Sequence, residues 1–103
     1  EIFIQPSGDI GLGGHIPYVN KIETSQWHRI VVVVKDNVPA IYVDGMLATA
    51  ASSAFDRYTI AEQGAFLFCD NDGEMSPIDI SAIRFWIGPL SAGQVEALGK
   101  AAE

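Results

Sequence analysis

The feature that most constrains the fold is the run Ile30–Val34, which consists of five consecutive β-branched residues. Such side chains favour the extended backbone and lower helix propensity. A second apolar run, 39–43, follows after a short turn and ends at Asp44-Gly45. Asp-Gly after an apolar run is a strong hairpin signal, because a tight two-residue turn needs a positive φ at its centre. The sequence therefore predicts three consecutive antiparallel strands, the third over 46–50.

The first of these strands is apolar on both sides. Because side chains alternate between the faces of a strand, Ile30, Val32 and Val34 share one face, and Val31 and Val33 lie on the other. A strand exposed on one side would alternate apolar and polar residues. We therefore expect cover on both faces, which a chain of this length need not supply by itself.

Further apolar runs extend the β pattern. Strands are predicted at 1–5, 10–12, 15–19, 58–60, 65–69 and 78–87. In the last run the apolar positions change from even to odd numbers, which indicates a β-bulge near Ser81. Ser91 and Gln94 then have the spacing of a capping box, and Gly99 is placed to end the helix. The pattern is typical of an all-β antiparallel β-sandwich with one short C-terminal helix.

Composition and charge limit the class of protein. The chain has 103 residues, of which 49% are hydrophobic, and thirteen acidic residues against six basic ones give a net charge of −7. One domain with its own core is expected. The negative charge argues against nucleic acid and anionic membrane surfaces as partners, since both attract basic patches. No apolar run approaches the ~20 residues that span a bilayer, so membrane insertion is not expected.

Two stretches resemble a known family. Trp27 with the strand after it, and Ile41-Tyr42-Val43-Asp44-Gly45, resemble the "W-h-x-strand…Y-V-D-G" signature of laminin-G-like, concanavalin A-like jelly rolls. Residues 80–98 resemble the closing strand of these domains and its "L-S-x-x-E-I-x-x-L" helix. Ser81 and Ala82 depart from the pattern, because an acidic pair is usual there. The resemblance implies a single laminin-G-like β-sandwich domain over 1–103, with jelly-roll topology.

The resemblance has consequences beyond the fold. Family members usually carry additional strands before the part matched here, which implies that this chain is the later portion of a jelly roll. Strand edges left open would favour a homo-oligomer or a complementing fragment. A compact minimal sandwich is the alternative. The resemblance also implies an extracellular or cell-surface location within a larger protein, and a carbohydrate or protein ligand.

Catalysis is not expected. Glycan hydrolases among these jelly rolls need two carboxylates that flank the glycosidic bond. Asp79 stands at the centre of an E-I-D-I-x-E-like stretch, but Pro77 and Ala82 occupy the two glutamate positions. His15 and His28 have no evident partner in the sequence. The expected function is therefore non-catalytic recognition, most simply of carbohydrate, and a structural or protein-interaction domain that associates through its β-sheets is the alternative.

Aromatic side chains are the first candidates for ligand contact, because the CH faces of sugar rings stack on them. Tyr42 and Trp86 each alternate with apolar neighbours that point the other way, so both are predicted to face outward. The alternative is that they lie beneath a loop or against the terminal helix. Trp27 matches a structural family position and is predicted to lie in the core.

The acidic loop Asp70-Asn71-Asp72 is the second candidate. Its oxygen atoms are the ligands that calcium prefers, so Asp70 and Asp72 are predicted metal ligands and all three residues are predicted to contact a ligand. An acidic turn facing solvent is the alternative.

Overall fold

A computed structural model describes residues 2–54 and 77–101. Six strands in chain order form two three-stranded antiparallel sheets, and one helix follows. The first sheet contains β1 (Phe3–Ile4), β2 (Asp9–Leu12) and β3 (Ile16–Asn20), the second contains β4 (Ile30–Lys35), β5 (Val38–Val43) and β6 (Met46–Ala50), and the helix is α1 (Ala92–Leu98). The prediction of antiparallel sheets with one short C-terminal helix is confirmed. The strands predicted at 58–60 and 65–69 lie outside the described residues.

Two tight turns shape the second sheet. Asp36 and Asn37, with φ of 50° and 61°, join β4 to β5. Asp44 and Gly45, with φ of 52° and 86°, join β5 to β6. Asp, Asn and Gly are the residues that enter the left-handed region most readily. The predicted Asp-Gly hairpin turn is therefore confirmed.

The core lies where the two sheets meet. Ile10 and Ile16 of the first sheet form a buried cluster with Ile41 and Val43 of the second. Each such side chain contributes about 1.5–3 kcal/mol when fully buried. Beside them the buried Thr49 hydroxyl donates a hydrogen bond of 2.8 Å to the Pro17 carbonyl, which joins β6 to β3. The first sheet therefore lies over the β5 and β6 side of the second sheet.

The position of β4 explains an unexpected exposure. The register pairs Ile30 with Val43 and Val32 with Ile41, and residues paired in this way point to the same side of a sheet. Ile30 and Val32 are nevertheless 37% and 42% exposed, whereas Val31 on the other face is 8% exposed. Cover on the Ile30 and Val32 face of β4 stays a prediction, because the described part of the chain leaves this face exposed. The reason for the exposure is the strand order β4-β5-β6, since β3 contacts β6 at the opposite edge.

The prediction of a strand at 78–87 is wrong. Between residues 77 and 90 the structure has no regular secondary structure, so the β-bulge expected near Ser81 does not form either. The apolar side chains of this run are exposed, from 46% at Trp86 to complete exposure at Ile87. β-Propensity largely reflects packing against neighbouring strands, and no described strand pairs with this run.

The terminal helix has the predicted cap. The Gln94 backbone N–H donates to the Ser91 hydroxyl at 3.2 Å, and the Ser91 N–H donates to the Gln94 side-chain carbonyl at 2.8 Å. Val95 is fully buried. The helix ends at Gly99, where φ is 64°. In the described part of the chain, no helix is both long and apolar enough to cross a membrane.

Candidate ligand-binding site

An open cleft of about 310 Å³ lies beside the start of β4, and we call it the Trp27 cleft. It is lined by Ser25, Gln26, Trp27, Ile78 and Asp79. Trp27 is 47% exposed, so the prediction that it lies in the core is wrong. It precedes Ile30, the first residue of β4, and belongs to the polar connection rather than to the paired strand.

The loop that carries Trp27 is held by hydrogen bonds from the residues on either side of Trp27 in the chain. The Glu23 backbone N–H donates to His28 Nε2 at 2.9 Å, and the Gln26 side-chain amide donates to the Glu23 carboxylate at 2.6 Å. Ser25 completes the turn with a positive φ of 64°. The residues before and after Trp27 are thus both tied to Glu23. A platform held in this way loses little conformational freedom when a ligand binds.

His28 is fixed in turn by the hairpin. Its Nδ1 lies 2.8 Å from the Asp44 carboxylate, and the two side chains are 10% and 21% exposed. A carboxylate only accepts, so Nδ1 donates its proton to Asp44, while Nε2 faces both the backbone N–H of Glu23 at 2.9 Å and its carbonyl at 3.2 Å. The expectation that His28 has no partner is therefore wrong. The partner lies sixteen residues away, and only the antiparallel pairing of β4 with β5 brings it close.

Asp44 joins several elements through one carboxylate. Its second oxygen accepts the Arg29 backbone N–H at 3.0 Å, and its own N–H donates to the Arg29 carbonyl at 2.8 Å. Burial alone would raise the pKa of Asp44. The hydrogen bond from Arg29, together with the hydrogen bond and charge of His28, outweighs burial, so this pKa lies below its usual value.

The same junction holds the C-terminal end of α1. The Arg29 guanidinium donates to the Leu98 carbonyl and lies 3.5 Å from the Gly99 carbonyl. Gly45 comes so close to the helix that a Cβ placed on it would lie 3.2 Å from the Gly99 Cα. Carbonyl groups at a helix end need such donors. Arg29, Asp44 and Gly45 thus connect the hairpin to the helix.

The His28–Asp44 pair has the arrangement of a general base with an orienting carboxylate. In an enzyme the other ring nitrogen, Nε2, would take a proton from a nucleophile or from water. Here Nε2 already accepts a hydrogen bond from the Glu23 backbone. The pair therefore positions the loop that carries Trp27, and its geometry does not favour proton transfer to a ligand.

A second cleft of about 290 Å³ lies on the other side of Asp44. It is lined by Lys21, Val43, Asp44, Met46, Leu47 and Ala48. Met46 and Leu47 are strongly exposed, and the Asp44 carboxylate is already occupied by His28 and Arg29. None of these lining residues is aromatic, so the Trp27 cleft is the better candidate for sugar stacking.

The aromatic residues predicted as ligand contacts lie elsewhere. Tyr42 is half-buried in β5 and pairs with Val31 and Leu47, on the side of the sheet opposite to the core residues, as predicted. Trp86 is 46% exposed, but Phe85 and Ile87 are more exposed still, so the alternation on which its predicted position depended is absent. Neither residue lines either of the two clefts.

The acidic candidates Asp70, Asn71 and Asp72 lie outside the described residues, so calcium binding there stays a prediction. Within residues 2–54 and 77–101, no group of three or more His, Cys, Asp or Glu side chains is arranged to hold a metal ion. Asp79, noted in the sequence only as an isolated acid, lies at the Trp27 cleft. The sequence feature that predicts this cleft is a tryptophan in a polar connection, next to Ser25 and Gln26.

No protein-family model matches the chain, and comparisons with curated proteins and with solved structures find no match. The resemblance to laminin-G-like domains therefore stays a hypothesis based on sequence patterns.

Proposed function

We propose that this chain is a non-catalytic carbohydrate-binding module in which Trp27 is the stacking platform. The observation that carries the proposal is a half-exposed indole that shares one cleft with a hydroxyl, an amide and a carboxylate, from Ser25, Gln26 and Asp79. Sugars present CH faces to aromatic rings, and their hydroxyl groups donate to and accept from polar side chains of these types.

The shape of the site agrees with this proposal. A volume of about 310 Å³ is at the lower end of the range for small-molecule sites, and the cleft is open to solvent. It therefore suits one or two sugar rings of a longer chain better than an enclosed cofactor. Since one ring and a few hydrogen bonds provide the contact, we expect weak binding, with a Kd on the order of 0.1–1 mM.

The proposed setting is a laminin-G-like, concanavalin A-like jelly roll within a larger secreted or cell-surface protein. The "W-h-x-strand…Y-V-D-G" pattern and the two antiparallel sheets support it. Calcium at Asp70 and Asp72 belongs to the same proposal. Fold and function are separate claims here, and the function depends on the cleft rather than on the family.

The test compares two tryptophans of equal exposure. Trp27 is 47% exposed at the cleft and Trp86 is 46% exposed outside it. A glycan array identifies a ligand for the wild-type chain, and isothermal titration then measures its affinity for Trp27→Ala and Trp86→Ala. We expect about a tenfold loss for Trp27→Ala and less than a twofold change for Trp86→Ala.

The control variant also supplies a spectroscopic readout. The chain has two tryptophans, so Trp86→Ala leaves Trp27 as the only indole. Its fluorescence should shift when the sugar binds. Equal losses of affinity in the two variants would contradict the proposed site, and an array without binding, alongside capture of a purified protein ligand, would contradict carbohydrate recognition.

A second candidate is a domain that associates through its sheets, and one observation favours it. Ile30 and Val32 are exposed on the core-facing side of β4, which is an edge strand among the strands that the structure describes. Exposed apolar edge strands promote association. Sedimentation equilibrium should then show a dimer or larger species that Val32→Lys converts to monomer, because a charged edge side chain opposes strand addition. A compact wild-type monomer would exclude this candidate.

A further inference from the structure

The charge at the described part of the Trp27 cleft is negative. Among the described residues that line it, Asp79 is the only one with a charged side chain. A second carboxylate lies just beyond, because Glu23 accepts the hydrogen bond from the Gln26 side chain. A ligand in the cleft therefore contacts Asp79 and lies near a second carboxylate, which Gln26 separates from it.

Two basic residues lie close to Trp27 in the chain, and neither lines the Trp27 cleft. The Arg29 guanidinium donates hydrogen bonds to carbonyls at the end of α1, and Lys21 lines the second cleft. His28 donates Nδ1–H to Asp44, which is itself an acid. The net charge of −7 adds a weak background of the same sign.

We infer that the Trp27 cleft selects its ligand by charge: it binds neutral sugars, prefers amino sugars, and disfavours sugars that carry carboxylate or sulfate groups. The inference rests on the proposed function of the cleft and names the class of glycan it would take. Asp79 can accept two hydroxyl groups of a neutral sugar. With an ammonium group it forms a charge-assisted hydrogen bond, and an acidic sugar would place a like charge beside it.

The expected size of the selection is modest because the site is open. Exposed ion pairs are weakened by solvent and salt, and their usual strength corresponds to a factor of about two to five in affinity. A like charge on the ligand should lower its affinity by the same factor. Both effects should decrease as salt is raised, since the Debye length is about 8 Å at physiological ionic strength and about 3 Å at 1 M.

The test uses three tetrasaccharides with the same β-1,4-linked backbone: one of glucose, one of glucosamine and one of glucuronic acid. Equatorial substituents leave the CH faces of all three free for stacking, so charge is the main difference between them. Titrations are carried out in a mildly acidic buffer, in which the sugar amine carries its proton. We expect affinity to fall in the order glucosamine, glucose, glucuronic acid.

A pair of charge variants separates the effect of a charge at the cleft from the effect of the net charge of the protein. Asp79→Asn removes one acid at the cleft. Asp36→Asn removes one acid from the β4–β5 turn, at the far end of β4 and about 20 Å away by strand length. Asn tolerates the positive φ at position 36, so this control should fold normally. Only Asp79→Asn should reduce the preference for glucosamine over glucose.

The outcomes distinguish the inference from the proposed function. Equal affinity for the three sugars, tightest binding of the glucuronic acid chain, or an equal effect of Asp36→Asn and Asp79→Asn overturns charge selection, even where Trp27→Ala still abolishes binding of the glucose chain. A wild-type chain that binds none of the three sugars overturns the inference, and it overturns the proposed function as well where the glycan array also shows no binding. The predicted order, lost specifically with Asp79→Asn, supports both.

Discussion

Gly45 offers the sharpest test of how the hairpin and the helix are joined. It lies in the β5–β6 turn with a φ of 86°, and a Cβ at this position would lie 3.2 Å from the Gly99 Cα and 3.4 Å from the Glu96 carbonyl oxygen. Gly45→Ala therefore has two costs, a left-handed backbone and a steric contact with the end of α1. Gly88 separates them, since its φ is also 86° and no atom lies within 4 Å of a Cβ placed there.

The two variants should differ by the contact alone. A non-glycine residue in the left-handed region costs about 1–2 kcal/mol, and both variants bear this cost. The contact at position 45 involves backbone atoms, which can move by only a few tenths of an ångström. Overpacking of this kind costs about 1–3 kcal/mol. The free energy of unfolding should therefore fall by about 2–5 kcal/mol for Gly45→Ala and by about 1–2 kcal/mol for Gly88→Ala.

Urea unfolding followed by circular dichroism measures this difference. With a slope of about 1–3 kcal/mol per M, an extra loss of 1 kcal/mol lowers the midpoint by about 0.3–1 M. The slopes of the two variants should agree, so that the midpoints can be compared directly. If Gly88→Ala lost as much stability as Gly45→Ala, the close approach of the turn to α1 would be refuted.

Three further predictions concern other parts of the fold. Because the pKa of Asp44 is lowered in the folded chain, its ionised form stabilises the fold above the unfolded pKa, and this contribution is lost as pH falls through the folded pKa; in urea titrations Asp44→Asn should thus be less stable than wild type at neutral pH, with the gap closing in strong acid. Ser91→Ala should cost about 1 kcal/mol by removing the helix cap, and a thermal midpoint unchanged within error would contradict the observed capping box. Ile41→Ala should cost about 2–5 kcal/mol and Val32→Ala less than about 1 kcal/mol, and equal losses in calorimetry would show that Val32 is covered in solution.

The sequence predicts best what local chemistry decides. The Asp44-Gly45 turn requires a positive φ that few residue types accept, so these two residues are enough to predict the hairpin. The capping box at Ser91 is likewise local, since the groups that exchange hydrogen bonds lie three residues apart. In both cases the interacting atoms are neighbours in the chain, and no knowledge of the tertiary fold is needed.

Predictions that depended on a distant partner fared worse. The run 78–87 has the composition of a strand, but a strand needs a neighbour, and no described strand takes that role. Trp27 was assigned to the core by family position, although its polar neighbours indicated a loop. His28 and Asp44 meet through the register of β4 with β5, which a sequence pattern does not specify to the residue. The candidate site is therefore largely a product of tertiary structure.

The meander topology of both sheets has a consequence for the order in which the chain acquires structure. Each hydrogen-bonded strand pair joins consecutive strands through a turn of two to four residues, so both sheets can form from local contacts soon after residue 50 leaves the ribosome. The tie between Arg29 and Leu98 spans 69 residues. At about 5–20 residues per second, the helix emerges ~2–10 seconds later. Ile30 and Val32 are exposed in the folded chain even with the C-terminal segment in place, so this edge is open from the time the sheet forms and is the point at which chaperones would be expected to act.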